Sequence, residues 1–397
     1  MIKYKQNPWL LPDGVEELLP DQARQLEQLR RAVLDLYRSW GYDLIQPPFI
    51  EYLDALLTGS GNELDLKTFK LVDQLSGRLL GLRADMTPQA ARIDAHSLKS
   101  DGPSRLCYLG AVMHTRADTA TGSRCPIQLG AEIFGHAGPE SDVEILQLML
   151  ETLMLTGIEN VHVDLGHVGI YRALAEEAGL TDEQETFLFD ALQRKALPEI
   201  SQLLADIDIS AEHKARVSCL AELNGDRSTL DEARQRLQGC SPAAKAALDN
   251  LSDIADLLRG CIPDLSLNFD LAELRGYQYQ TGVVFAAFVA ERGQEIARGG
   301  RYDDIGRYFG RARPATGFSA DLATLMQLGG RKARMEKPGI LAPCIADNNL
   351  HEQIRALREQ GERVAYLLTD IDAAYSLSDY DRVLQKQGEK WTVGQRN

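Results

Sequence analysis

The chain has 397 residues, 44% hydrophobic and 25% charged, with a net charge of −15. That length exceeds one ordinary core and predicts two or three domains, while the acidic balance disfavours non-specific nucleic-acid binding. No run of about 18 apolar residues suggests a membrane helix, and the opening MIKYKQNPWLLPDG lacks an apolar h-region and a small-residue cleavage site. A cytoplasmic protein with no membrane partner is therefore expected.

Residues 17–40 predict a helix, since Leu26, Leu29, Val33, Leu36, Tyr37 and Trp40 recur at steps of three or four after Pro20-Asp21. Gly41 ends it, and YDLIQPPFIE predicts an extended segment pinned by Pro47-Pro48. Strand-like runs follow at RLLGLRA, RLCYLGAVMHTR and PIQLGAEIFG without long intervening helices. That order predicts an antiparallel sheet in an α+β fold, not a doubly wound one. Ser141-Asp-Val-Glu144 reads as a capping box opening a nearly all-apolar helix, and NVHVDLG as the strand after it.

From about 168 to 262 the pattern is helical, with a capping box at Thr181–Gln184 and a helix start at Ser241-Pro242. Strands return in LSLNFDLAE and GYQYQTGVVFAAFVA, then a glycine turn RGGRYDD, then a helix after ATGFSADLATL. The first domain is placed at 1–330, with the helical insertion inside it, and a short α/β domain at 331–397. In the latter, GILAPCI, LHEQIRALREQG and RVAYLL predict β-α-β, and DRVLQKQGEKWTV a hairpin. The six cysteines form no CxxC pair and predict reduced, mostly packed thiols with no metal.

Strand alternation nominates a site. In PIQLGAEIFG, Ile127, Leu129, Ala131 and Ile133 share one face, expected to meet a helix layer, and Gln128, Gly130 and Glu132 share the other. Gly130 leaves room there for a ligand or a closely packed backbone. Asp85 and Thr87 lie just beyond a strand; Arg275, Tyr277 and Tyr279 alternate; Tyr302 follows the glycine turn. Such groups suit a small zwitterion if they converge, and a solvated polar sheet face if they do not. No Walker A loop, strand-borne GxGxxG, HExxH or GxSxG occurs, and no cofactor is expected.

From WLLPDG to GFSADLATL, about four-fifths of the chain resembles the class II histidyl-tRNA synthetase core. YDLIQPPFIE resembles motif 1, LRADMTP the LRPEGT segment, and YLG…QLGAEIFG the motif 2 hairpin. LRGYQYQTGVVF resembles RGLDYYTGTVFE, GGRYDD resembles GGRYDGL, and TGFSADLATL resembles motif 3. The resemblance implies a class II antiparallel sheet flanked by helices. It also implies histidine contacts at Thr87, Gln128, Glu132, Arg275 and Tyr279, with Asp85 in place of a glutamate that meets the α-ammonium. Tyr302 joins the candidates, and Gln280 replaces the motif's second tyrosine.

Two departures concern ATP. The motif 2 arginine falls on His114, with Arg116 two places on, and motif 3 has Asp321 for a glycine and Thr324 for its arginine. In the synthetases both arginines hold ATP phosphates. Each lost charge-assisted bond is worth about 1.5–3 kcal/mol, so losing both costs about two to four orders of magnitude in binding. The last 65 or so residues are also too few for a synthetase anticodon-binding domain, so no tRNA is expected.

WLLPDG, RADMTPQAARIDAH and RGYQYQTGVVFAAF, with the lost ATP grips, resemble the regulatory subunits of ATP phosphoribosyltransferase. That resemblance implies a non-catalytic chain that self-dimerises and joins the short-form catalytic subunit in a hetero-octamer. It implies a link to feedback inhibition by L-histidine in the first step of histidine biosynthesis. The other readings are a divergent histidyl-tRNA synthetase and a free-standing histidine sensor.

Overall fold

The computed structural model describes residues 9–59, 62–117, 122–277, 279–331, 337–368 and 378–396, and the chain divides into compact units at 1–332 and 333–397. Among the described residues, nine strands form the main sheet of the first unit. Their spatial order is Asp43–Leu44, Ser104–Ala111, Ile127–Phe134, Ala315–Asp321, Arg292–Arg301, Val283–Val289, His162–His167, Ser266–Asp270 and Asn224–Gly225. Every pairing from Ser104–Ala111 across to His162–His167 is antiparallel; the second and eighth strands gain parallel neighbours. The α+β expectation holds, because hairpins and helical connections bring sequence-distant strands together without a βαβ series.

Register fixes two unlike faces. Cys107, Ala131, Phe318, Phe285 and Leu165 stand in one row, with Ile145, Leu148 and Met149 of helix Pro139–Leu155 in the same apolar core. Leu129 and Ile133 flank Ala131 in that core, as their alternation predicts. The opposite row reads Leu106, Glu132, Gly317, Gly300, Val284 and Gly166. This glycine-rich face carries the candidate site.

The predicted first helix is Pro20–Ser39, which buries Leu29, Val33 and Tyr37. The apolar helix starts at Pro139 with Gly138 as its N-cap, so the expected capping box at Ser141 is absent. Ser141 instead donates to Gly138 O at 2.9 Å and accepts from Arg301 at 2.9 Å. Proline's fixed φ starts the helix earlier than the serine could.

Apart from strand Asn224–Gly225, the region from 168 to 262 is built of helices, from Val168–Ala178 to Pro242–Cys261, with the capping box at Thr181 and the Ser241 N-cap both formed. A separate three-stranded sheet sets Leu79–Leu82 between Ile50–Tyr52 and Lys70–Val72. In the second unit, Gly339–Pro343 pairs in parallel with Val364–Leu367 through helix Asn348–Glu359, and Tyr380–Gln387 forms the hairpin with Lys390–Gln395. Ile340, Leu350, Ile354, Leu384 and Trp391 make its small core.

Two further local expectations fail. The strand expected to begin at Gly276 starts only at Val283; before it Tyr277 N bonds Leu274 O and Gln280 N bonds Gly276 O, as in turns. Gly276 adopts φ +69, which breaks the alternation that would have aligned Arg275, Tyr277 and Tyr279. Conversely, Gly299 and Gly300 are not in a turn but inside strand Arg292–Arg301. Gly317 O and the Phe285 ring crowd Gly299, and Gln280 crowds Gly300.

Candidate functional site

Glu132 anchors the site. It is 1% exposed, accepting from Tyr108 Oη at 2.8 Å on one oxygen and from Tyr302 Oη on the other. The carboxyl reaches this position over Gly317, where an added Cβ would fall on Glu132 itself. Burial pushes its pKa up to about 8; the two tyrosine hydrogen bonds pull it down, and nearby Asp85 adds to the rise. The tyrosine hydroxyls are raised well above their ordinary value, first by burial and then by Glu132.

A second set of bonds adjoins this one. Gln128 donates from Nε2 to Asp85 Oδ1 at 2.7 Å and accepts from Met86 N at 2.9 Å. Thr87 N donates to the same Asp85 oxygen at 2.9 Å, while its hydroxyl lies 2.9 Å from Tyr108 Oη. Since Tyr108 donates to Glu132, Thr87 is the donor in that contact. Asp85, Thr87, Gln128, Glu132 and Tyr302 thus converge through Tyr108.

The other nominated residues are placed differently. Arg275 is held by Glu273 at 3.1 Å and Glu295 at 2.9 Å, Tyr279 is exposed, and Tyr277 packs on the helical insertion. The turns from Leu274 to Gln280, not strand alternation, decide those positions. Gln280 is 6% exposed, and its Oε1 has no hydrogen-bond partner among the described residues. The space left by Gly130 is filled by the Tyr108 ring. Tyr108 was missed by sequence reasoning, although an aromatic directly opposite a glycine across a hairpin was its available signal.

The positions that the synthetase resemblance implies for phosphate-binding arginines have structural partners. His114 is buried, with Nε2 2.9 Å from Ala84 O. Asp321 caps helix Leu322–Leu328, accepting from Ala323 N and Thr324 N, from the Thr324 hydroxyl at 2.7 Å, and from Ile127 N at 2.9 Å. Arg116 is exposed. Among the described residues no cluster of His, Cys, Asp and Glu suits a metal ion.

Residues 14–325 match the family model for histidyl-tRNA synthetase, and residues 337–394 match that for the ATP phosphoribosyltransferase subunit HisZ C-terminal domain. The ATP phosphoribosyltransferase regulatory subunit of Thioalkalivibrio sulfidiphilus is 56% identical over 388 residues, 98% of either chain. The chain belongs to the ATP phosphoribosyltransferase regulatory subunit family. A regulatory subunit of the same description from Pseudomonas syringae pv. syringae is 54% identical over 97% of each chain. A Bacillus halodurans structure, described as an ATP phosphoribosyltransferase regulatory subunit/histidyl-tRNA synthetase, superposes with a TM-score of 0.81 at 28% identity. It covers 95% of this chain and 97% of its own. Histidyl-tRNA synthetase from Nostoc shares the fold, with a TM-score of 0.74 at 19% identity over 95% of this chain and 91% of its own. Within the regulatory-subunit family fold, the polar cluster around Glu132 lies on the sheet face that carries no helix Pro139–Leu155.

Proposed function

We propose that this chain is the non-catalytic regulatory subunit of ATP phosphoribosyltransferase, acting in the first step of histidine biosynthesis by activating a short-form catalytic subunit. The observation that carries the reading is the division of the old site. Its amino-acid side retains a converged acidic and amide cluster, whereas His114 bonds a backbone carbonyl and Asp321 holds two helix amides and the Thr324 hydroxyl where a phosphate grip would be needed.

The finer parts of the reading concern assembly and effector. The chain pairs with itself and joins catalytic subunits in a hetero-octamer. Exposed Phe49, Ile50, Tyr52, Leu71, Val72 and Leu79, on and beside the small three-stranded sheet, support an apolar contact surface there. L-histidine is the effector. Asp85, Thr87 and Gln128 supply acceptors for its α-ammonium, and Glu132 with Tyr302 faces its imidazole. Arg275 reaches the carboxylate only by giving up Glu273 or Glu295. Histidine regulates by binding one state of the complex better than another.

The test is phosphoribosyl transfer by the catalytic subunit of the same organism, with and without this chain and with and without histidine. Strong activation and greater histidine sensitivity are expected. Unchanged rates with no complex on sizing would overturn the proposal.

A further inference from the structure

Tyr277 and Gln280 adjoin the Glu132 site and are gripped from outside by the helical insertion. On the pocket side, Gln280 Oε1 lies against Gly300, whose register partner Gly317 underlies the Glu132 carboxyl. The two oxygen-bearing groups therefore stand over adjacent glycines of one sheet face.

The outer side of the turn is bound by the insertion's first two helices. Arg172, on Val168–Ala178, donates from Nη2 to Tyr277 O at 2.9 Å and to Gln280 O at 3.1 Å. Its guanidinium also lies 4.8 Å from the centre of the Tyr277 ring. The same ring stacks on Phe189 at 5.1 Å, and its hydroxyl donates to Glu185; both residues belong to helix Asp182–Gln193. Tyr171 lies 5.5 Å from the ring and donates its own hydroxyl to Glu185 O at 2.7 Å.

We propose that Tyr277 is a positioning residue through which helix Asp182–Gln193 holds the pocket turn, so that histidine binding at the pocket orders that helix. The inference rests on the proposed histidine reading of the pocket. A ligand donor that engages the unpartnered Gln280 oxygen fixes the turn's end, and Arg172 and Tyr277 carry that restraint into the insertion. Coupling is reciprocal, so loosening the helix attachment weakens histidine binding. Simple core packing would hold the turn but would not respond to ligand.

The experiment uses the full chain and measures histidine affinity by calorimetry alongside amide exchange of residues 182–193 with and without histidine. In the unmodified protein, histidine should slow exchange in that helix. Tyr277→Phe keeps the stacking and loses the hydroxyl bond; it should bind about threefold to tenfold more weakly and lose the protection. Glu185→Gln keeps an acceptor for the tyrosine and should keep the protection. Where Tyr277→Phe does not fold, Glu185→Ala removes the same bond from the helix side. Histidine binding without slower exchange in 182–193, or protection undiminished in Tyr277→Phe and Glu185→Ala, would overturn the inference. No binding to the unmodified protein would instead defeat the histidine reading itself, and the inference with it.

Discussion

Replacing Glu132 by glutamine keeps the shape of the side chain and removes its charge, which isolates the cost of burying that carboxyl. Its pKa rises from 4.5 in the unfolded chain to about 8 in the fold. Between those values the folded state holds a proton that the unfolded state releases. This contribution to stability is full below about pH 4.5 and is lost as pH rises through 8. Integrated from pH 5.5 to 8.5, the loss is about 3 kcal/mol.

Other groups titrate in the same range. His167, buried and held down to about 4 chiefly by burial, contributes with the opposite sign. The informative quantity is therefore the difference between two slopes. Urea unfolding of the unmodified protein and of Glu132→Gln, at pH 5.5 and 8.5, gives four stabilities. The variant should be relatively more stable at pH 8.5 than at pH 5.5 by about 3 kcal/mol. The amide must reverse one tyrosine hydroxyl, at a cost of about 1–3 kcal/mol. That mismatch is independent of pH and cancels in the comparison. A double difference below about 1 kcal/mol would refute a carboxyl buried at this cost.

Three further outcomes follow from the same geometry. Asp321→Ala removes the cap of helix Leu322–Leu328 and should lower stability by about 1–2 kcal/mol, read by chemical denaturation. His167→Asn keeps an acceptor for Gly169 N, yet should flatten the loss of stability that accompanies acidification from about pH 6.5 to about 4, because only the histidine takes up a proton on unfolding there. Arg301→Ala strips the buried Asp142 of its 2.9 Å partner and should cost about 3–5 kcal/mol, read as a lowered unfolding midpoint.

Much of the fold was legible because its signals are local and periodic. Alternation in PIQLGAEIFG separates Leu129 and Ile133 from Gln128 and Glu132, and strand register leaves that separation unchanged. The Thr181 cap depends on four neighbouring residues and formed as read. Positions governed by distant partners were less accessible. The alternating tyrosines of GYQYQ resemble a strand, but Arg172 and Glu185, about 100 residues away in sequence, hold them as a turn. Gly299 and Gly300 read as a turn from composition, whereas neighbouring strands and Gln280 require their missing side chains. Tyr108 was hidden for the same reason, since its partner Glu132 appears only once the hairpin register is known.

Where the synthetase resemblance implies phosphate-binding arginines, His114 and Thr324 take part in local structure. Asp321 satisfies Ala323 N, Thr324 N, Ile127 N and the Thr324 hydroxyl together, joining strand Ile127–Phe134 to the helix that follows strand Ala315–Asp321. Restoring arginine at Thr324 removes one of those donors and places a cation beside a carboxylate whose geometry is already fixed. Restoring arginine at His114 means fitting a larger charged group where a buried imidazole meets Ala84 O. Each substitution thus has to break local structure, and neither removes the Asp321 charge nearby. The residues at these positions are thus tied into helix capping and loop packing, while the acidic cluster around Glu132 stands on glycines across separate strands.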